Sequence, residues 1–597
     1  MKKFLALLLI LAMVFTFAAC GGNDEPQGEG EGEGEATEPA ETGAVTVEDE
    51  VKQAEIRQAI SLLFDRNYIC EEIGQAGQVP ANTFVAMGMT EPDGSQFYLN
   101  ANGGQGYYSV DPDDFEANVN EAIEILKKYY EWDDSAQKFT NFPTLHYLYN
   151  TSEGHKAIGE YLQSALASVG ITMDMENQEW NTFLNTRKAG DYSIARNGWV
   201  ADYNDPICFI DMWTSGSGNN DVQFGKGNHA DLAMYSVDTT DLGLDLKVEN
   251  GTWAETYDEL VALIKSTTDP ETRYALMHKA EDLLMSTGCI CPIYYYTDPY
   301  MISKTVDGFF ANPLGYKYFM YTTTSDNLDT LNVCIASEPD TLDPAANSAV
   351  DGATMLAHLF SGLAKWAQDD NGNLQIVADA AEELPEGTVN EDGSVTYTYT
   401  IRDMKWSDGE AVTAKDFEFA WKRAANEENG FDYGYMFENV VGYPNDLAVT
   451  ALDDKTLEVT IANTVPYWNE LLAFPTFFPV REDVVANEGW NTDPSTYVCN
   501  GMYTMDAWEH NSVITLKKNE AHPDAAEVTM PTLKFYLSDD ANNMLTNFKN
   551  GEWKLIDDVP TNEMAALKVD YPDEFVVAGQ IGTYYVCWNV NEDIRVW

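Results

Sequence analysis

Apolar residues recur at helical spacing through Glu55–Phe64, where Ile56, Ile60 and Leu63 share one face, and this predicts a helix ending near Asp65 and Arg66. A second helix is expected after Asp111-Pro112, since proline suits a first helical turn, with Val119, Ile123 and Leu126 turned inward. Thr144–Tyr149 reads as a strand. His155–Val169 reads as a helix carrying Ile158, Leu162, Ala165 and Val169 in register, with Gly170 as its stop, and Ile171–Met175 returns as a strand. Strand, helix and strand joined by short links predict an α/β lobe with a partly parallel sheet. Ligands in such lobes sit at strand ends, where Asn150, His155 and Asp202 fall.

Further on, 252–285 is expected to be helical and Ile293-Tyr294-Tyr295-Tyr296 to lead out of this lobe. The three tyrosines alternate, so at least one must face away from the others. The pattern changes near Ser325-Asp326-Asn327, and Leu331–Ala336 is expected to begin a fresh sheet. Val395, Tyr397, Tyr399 and Ile401 alternate with threonines, a half-buried antiparallel strand whose expected partner is Leu457, Val459 and Ile461. Between them Lys405-Trp406-Ser407-Asp408-Gly409 reads as a turn packed by its tryptophan, and Ala414-Lys415-Asp416-Phe417 opens a helix reaching Trp421. Asn500–Tyr503 and Val513–Leu516 should return to a sheet-rich lobe that also holds 303–326 and 327–360.

A chain of 597 residues is too long for one core, and a globular composition with 44% hydrophobic residues fits about four domains or subdomains. Against 34 Lys and Arg stand 98 Asp and Glu, a net charge of −64, which argues against nucleic acid and against adsorption to anionic lipid. Residues 1–20 read as a targeting segment: Lys2 and Lys3 precede an apolar run, Phe4–Phe17, too short to span a bilayer. Gly21–Gly43 is rich in Gly-Glu repeats and is expected to be a mobile tether. Beyond Cys20, seven cysteines are scattered; an odd number leaves a free thiol, and Cys289-Ile290-Cys291 cannot readily close a bridge, so buried thiols are expected. Seven dispersed histidines suggest no metal site, and no cofactor is expected.

The densest chemistry lies in Ala195–Pro206, where Arg196, Trp199, Asp202 and Tyr203 stand close together beside Gly198. Burying arginine and aspartate is costly unless each is paired, so the segment is either a solvated loop or a pocket wall. Its flanks, Asp191–Ala195 as a short strand and the apolar Cys208–Trp213, favour the wall. A plainer reading pairs Arg196 with Asp202 beneath a loop.

Together with Tyr149–Ser152, Asn177–Trp180 and Trp213–Ser217, this segment resembles the second lobe of the oligopeptide-binding family, the solute receptors of peptide ABC transporters. Ser337-Glu338-Pro339-Asp340-Thr341-Leu342-Asp343-Pro344 resembles the family's first half, and Phe17–Gly21 resembles a lipobox ending on the lipidated Cys20. The resemblance implies a two-lobed α/β periplasmic-binding-protein fold of the class II type with an extra subdomain. It also implies a ligand set of Asp202, Trp199, Arg196, Arg187, His155, Asn150, Tyr433, Val350 and Tyr585. In it Asp202 takes the ligand's ammonium, Trp199 walls a side-chain pocket, and Arg187 and Arg196 meet carbonyls or the terminal carboxylate. Two departures stand out: no lysine lies near Glu71-Glu72-Ile73-Gly74, and Ser348 and Cys587 occupy positions that are acidic in other members.

The halves also stand in exchanged order, which suggests a circular permutation with a single interlobe crossing left near Met301-Ile302-Ser303. Gene assembly or a truncated tandem repeat is the other explanation. The expected organisation is a leader at 1–20, a tether at 21–46, lobe 2 at 47–302, and lobe 1 from 303–360 and 481–588. An α/β subdomain of lobe 1 occupies 361–480, and 589–597 forms a tail. Functionally, the resemblance implies a monomeric, non-enzymatic receptor on the outer face of the membrane. It closes on oligopeptides and passes them to ABC permease subunits. Oligosaccharide, nickel-complex or haem ligands remain the alternative. An extracellular hydrolase using carboxylates such as Glu179 and Asp191 is disfavoured by the lack of any Gly-x-Ser-x-Gly, His-Glu-x-x-His or phosphate-loop motif.

Overall fold

The computed structural model describes residues 43–597; the leader, Cys20 and all but the last residues of the expected tether lie outside the described residues. The first helix, α1 (Val47–Ser61), starts eight residues earlier than its apolar spacing indicates. Thr46 and Asp49 close a reciprocal capping box that satisfies the first turn. The predicted strand–helix–strand follows as β1 (Leu145–Asn150), α2 (Glu153–Ser168) and β2 (Met173–Gln178), with β1 and β2 parallel. Ser152 caps α2, a contact that contributes about 1 kcal/mol to such helices. Next come α3 (Trp180–Ala189) and β3 (Ile194–Val200). The helical stretch at 252–285 is two helices, α4 (Trp253–Ser266) and α5 (Pro270–Ser286), divided where Asp269-Pro270 caps the second.

Two long strands organise the molecule. Strand β4 (Ile290–Ile302) runs out of the first lobe, and further along come β5 (Thr330–Ala336) and α6 (Val350–Leu359). The subdomain has β6 (Val395–Thr400), α7 (Ala414–Ala425) and β7 (Thr456–Ile461). Strands β6 and β7 are the antiparallel partners expected, with Tyr397 opposite Val459 and Tyr399 opposite Leu457. The rest of the second lobe supplies β8 (Tyr503–Glu509), β9 (Val513–Lys518), β10 (Thr532–Leu537), β11 (Leu555–Ile556) and the long β12 (Phe575–Trp588).

These strands form one sheet of 11, in the order β8-β9-β10-β5-β11-β4-β12-β3-β1-β2, with Val79–Pro80 added against β4. The strand at 330–336 therefore does not begin a separate sheet: it pairs with β10 and β11 and joins the lobes' common sheet. Strand β12 pairs along its length with β4 and at its far end with β3, Trp588 opposite Ile194. Both β4 and β12 thus pass from one lobe to the other. The single crossing expected near Met301 is corrected to two, and 481–588 is not confined to lobe 1.

Residues 589–597 are packed rather than trailing. The Ile594 N–H donates to Gln53 Oε1 at 2.9 Å, the Trp597 indole donates to Asp49 at 2.8 Å, and Arg595 pairs with Asp49 at 3.1 Å. The chain that leaves β12 therefore lies directly on α1.

Candidate functional site

A cavity of about 430 Å³ opens between the lobes, lined from one side by β3, α2 and α3 and from the other by α6 and Tyr433 of the subdomain. That is the size of a small-molecule or short-peptide site. Strand β3 carries the central residues. The sequence reading ends its strand at Ala195, but the backbone stays extended to Val200, because β12 pairs with it along that whole length, while β1 pairs only with Ile194 and Ala195. Gly198 is required here: a Cβ at this position would sit 2.1 Å from the Tyr296 hydroxyl, so only a bare backbone admits that ring to the cavity wall.

Asp202 lies just past the end of β3, 9% exposed. The Tyr433 hydroxyl donates to its Oδ1 at 2.8 Å, while its Oδ2 has no hydrogen-bond partner among the described residues. Burial pushes this carboxyl well above the usual carboxylate range, against the lowering effect of the Tyr433 bond and with Asp211 adding like charge. Among the described residues Asp202 forms no ion pair, so the pairing with Arg196 does not occur. Arg196 instead sits over two rings, its guanidinium carbon 5.5 Å from the Tyr584 centroid and 5.9 Å from that of Trp180.

Trp199 donates its indole N–H to the Cys208 carbonyl at 2.9 Å, which fixes the ring beside Tyr433 at 6.2 Å. Arg187 reaches the cavity from α3 but is neutralised by Asp221 at 2.8 Å. His155 stands in the first turn of α2, its imidazole held well below its usual pKa by burial and by Arg196, and so neutral. Asn150 ends β1 with its Oδ1 unpartnered, and Val350 begins α6 on the opposite wall.

Eight of the nine predicted residues thus share one cavity. The ninth, Tyr585, does not line it: the ring is fully buried behind the sheet against Phe84 at 5.1 Å and Trp213 at 6.1 Å. Neighbouring strand residues face opposite sides, and it is Tyr584 that turns toward Arg196 and His155. Cys587 is likewise interior, near Asn197 and Tyr192, whereas Ser348 is at the cavity and accepts from Lys188 Nζ at 2.8 Å.

Sequence reasoning missed several lining groups. Lys188 bridges the lobes to Ser348 and Asp432. A second cavity of about 380 Å³ continues the first and shares Tyr296, Val350, Asp351, Asp557 and Asp558 with it. Within it Lys317 is held by Asp298 at 2.9 Å and Asp557 at 2.7 Å. Asp557 and Asp558 directly follow β11, so the strand-end rule could have found them.

The seven described cysteines are all buried and free, in agreement with the sequence reading. Despite the dispersed histidines, Asp379, His522 and Asp524 do converge, but Lys365 at 3.3–3.5 Å and Arg402 at 2.5 Å occupy their carboxylates. Glu179 and Asp191 are exposed and do not line the cavity. No described helix is long and apolar enough to cross a membrane.

Two α/β lobes joined by crossing strands and closed over a mixed polar and aromatic cavity define a two-lobed solute-binding protein. The family model for bacterial extracellular solute-binding proteins, family 5 Middle, matches residues 42–221 and 375–596, and the chain belongs to this family. It is 37% identical over 258 residues to the oligopeptide-binding protein OppA of Bacillus subtilis, covering 40% of this chain and 46% of that protein. It is 29% identical to the periplasmic oligopeptide-binding protein OppA of Escherichia coli, covering 44% and 50%. Among solved structures, the murein tripeptide binding protein MppA of Escherichia coli aligns at 26% identity over 41% of this chain and 48% of that one, with a TM-score of 0.37. The chain spans about half the length of the curated relatives it matches.

Proposed function

We propose that the protein is a peptide receptor of an ABC transporter, anchored outside the cell by a lipid on Cys20, that closes its lobes on a peptide and presents it to a permease. The observation that carries this reading is the Asp202 carboxylate, nine-tenths buried in the interlobe cavity with one oxygen lacking any donor. An isolated buried carboxylate is costly, and a ligand ammonium removes that cost. The nearby rings of Trp199 and Tyr433 and the cationic Arg196 suit a peptide's side chains and carbonyls.

We further infer that the chain is a circular permutant of the family fold. This rests on the exchanged motif order and on the packing of 594–597 against α1.

Calorimetry tests the binding claim. A free tripeptide should bind, its N-acetylated form far more weakly, and Asp202→Asn should lower affinity for the free form by about 2–5 kcal/mol. Equal binding of free and acetylated peptide contradicts the assignment of Asp202. Anchoring is checked by Cys20→Ser, which should leave the membrane fraction; retention after carbonate washing contradicts the lipid anchor.

A further inference from the structure

The second cavity, beneath the Asp202 site, carries a charge imbalance that main-chain recognition of a peptide does not use. One lysine and four aspartates line it: Lys317 against Asp298, Asp351, Asp557 and Asp558. Lys317 is fully engaged, buried between Asp298 and Asp557. Among the described residues Asp351 and Asp558 have no cation in contact. Asp351 Oδ2, at the start of α6, is shut off from solvent without a hydrogen-bond partner, and Asp558 Oδ1 accepts only the Val559 N–H at 2.7 Å. The other charged groups that bear on them are acidic as well, Asp340 on Asp351 and Glu153 on Asp558. Burial, reinforced by these neighbours, raises both carboxyls to about 6. His155, which also lines this cavity, is neutral, and Arg196, which lines only the first cavity, is spread over Trp180 and Tyr584 rather than paired with either aspartate.

An apolar chain placed here would leave two desolvated carboxyls unanswered, and an acidic one would add to them. Both aspartates also face the Asp202 cavity, so one ligand can reach all three. We propose that this second cavity is a specificity pocket for a positively charged side chain, and that the preferred ligand is a peptide carrying a lysine or arginine besides its α-ammonium group. This rests on the peptide reading of the Asp202 site.

The test is calorimetry on the full chain with tetra-alanine peptides in which lysine, norleucine or glutamate is placed at each position in turn. Norleucine matches the lysine stem without its charge. At one position lysine should bind at least about tenfold tighter than norleucine, and glutamate weaker than either. In Asp351→Asn with Asp558→Asn, and in each single variant should the pair fail to fold, that lysine-to-norleucine ratio should fall toward one. Peptides binding with no dependence on charge at any position overturn the specificity pocket and leave the peptide reading intact. A lysine preference that survives in the asparagine variants also overturns it. If no peptide of the panel binds, the peptide reading fails and the pocket with it.

Discussion

Asp202 could be singled out from the sequence because a carboxylate, a guanidinium and an indole crowd into an otherwise apolar run, and such groups need partners when buried. Asp351 could not: among 98 acidic residues nothing local marks it as facing inward, and only tertiary packing selects it, whereas Asp557 and Asp558 carry the strand-end signal of β11. Tyr585 was misplaced for a related reason. Two adjacent tyrosines on a strand face opposite ways, and which of them turns toward Arg196 and His155 depends on how the strand pairs, with a register shift against β4 between Tyr584 and Tyr585. Burial elsewhere makes a pH prediction. Glu281 is fully buried; its Oε1 accepts the N–H groups of Phe84 and Val85, its Oε2 has no partner, and desolvation raises its carboxyl to about 8. A raised acid stabilises the fold fully only below its unfolded value, near 4.3, and that stability is lost as pH rises toward 8. Glu281→Gln does not titrate, so its Tm relative to the parent should rise between pH 5 and pH 8 in differential scanning fluorimetry. A difference that stays flat over that range contradicts the assignment.

At the level of elements, periodicity located helices and strands well, because each buries one face: α2, β1 and β2 lie where the pattern sets them, and β7 is the antiparallel partner of β6 as the alternation suggests. Sheet membership was not legible. The strand at 330–336 resembles the start of a new sheet, yet it is a parallel partner of β10, a pairing across about two hundred residues that no local pattern encodes. The contacts that hold the lobes closed were equally hidden. Lys188 on α3 reaches Ser348 and Asp432; Lys265 on α4 reaches Glu438 at 2.8 Å; Tyr203 stacks on Tyr467 at 4.3 Å. These contacts exist only when the lobes meet, so weakening one should favour the open form. Lys188→Met should speed peptide dissociation by about fivefold and enlarge the radius of gyration of the unliganded protein in solution scattering. An unchanged dissociation rate would show that Lys188 does not hold the closed form.

Across the whole molecule, the two-lobed architecture followed from motifs spread over hundreds of residues, while the covalent path between lobes did not. Both β4 and β12 cross, so the proposed permutation leaves the hinge strands intact and places its break beside α1 instead. Rejoining residue 597 to residue 44 through a short linker, with new ends opened near Ser325, should therefore preserve peptide affinity within about twofold, because both crossings survive. A rejoined chain that folds but loses binding contradicts the permutation. The central claim, that the interlobe cavity holds peptides by their ammonium group, is tested most directly by mass spectrometry of small molecules released on denaturing protein purified without added ligand. Peptides with free amino termini, lost from Asp202→Asn, are the predicted result; a sugar, a metal complex or haem in their place would contradict it.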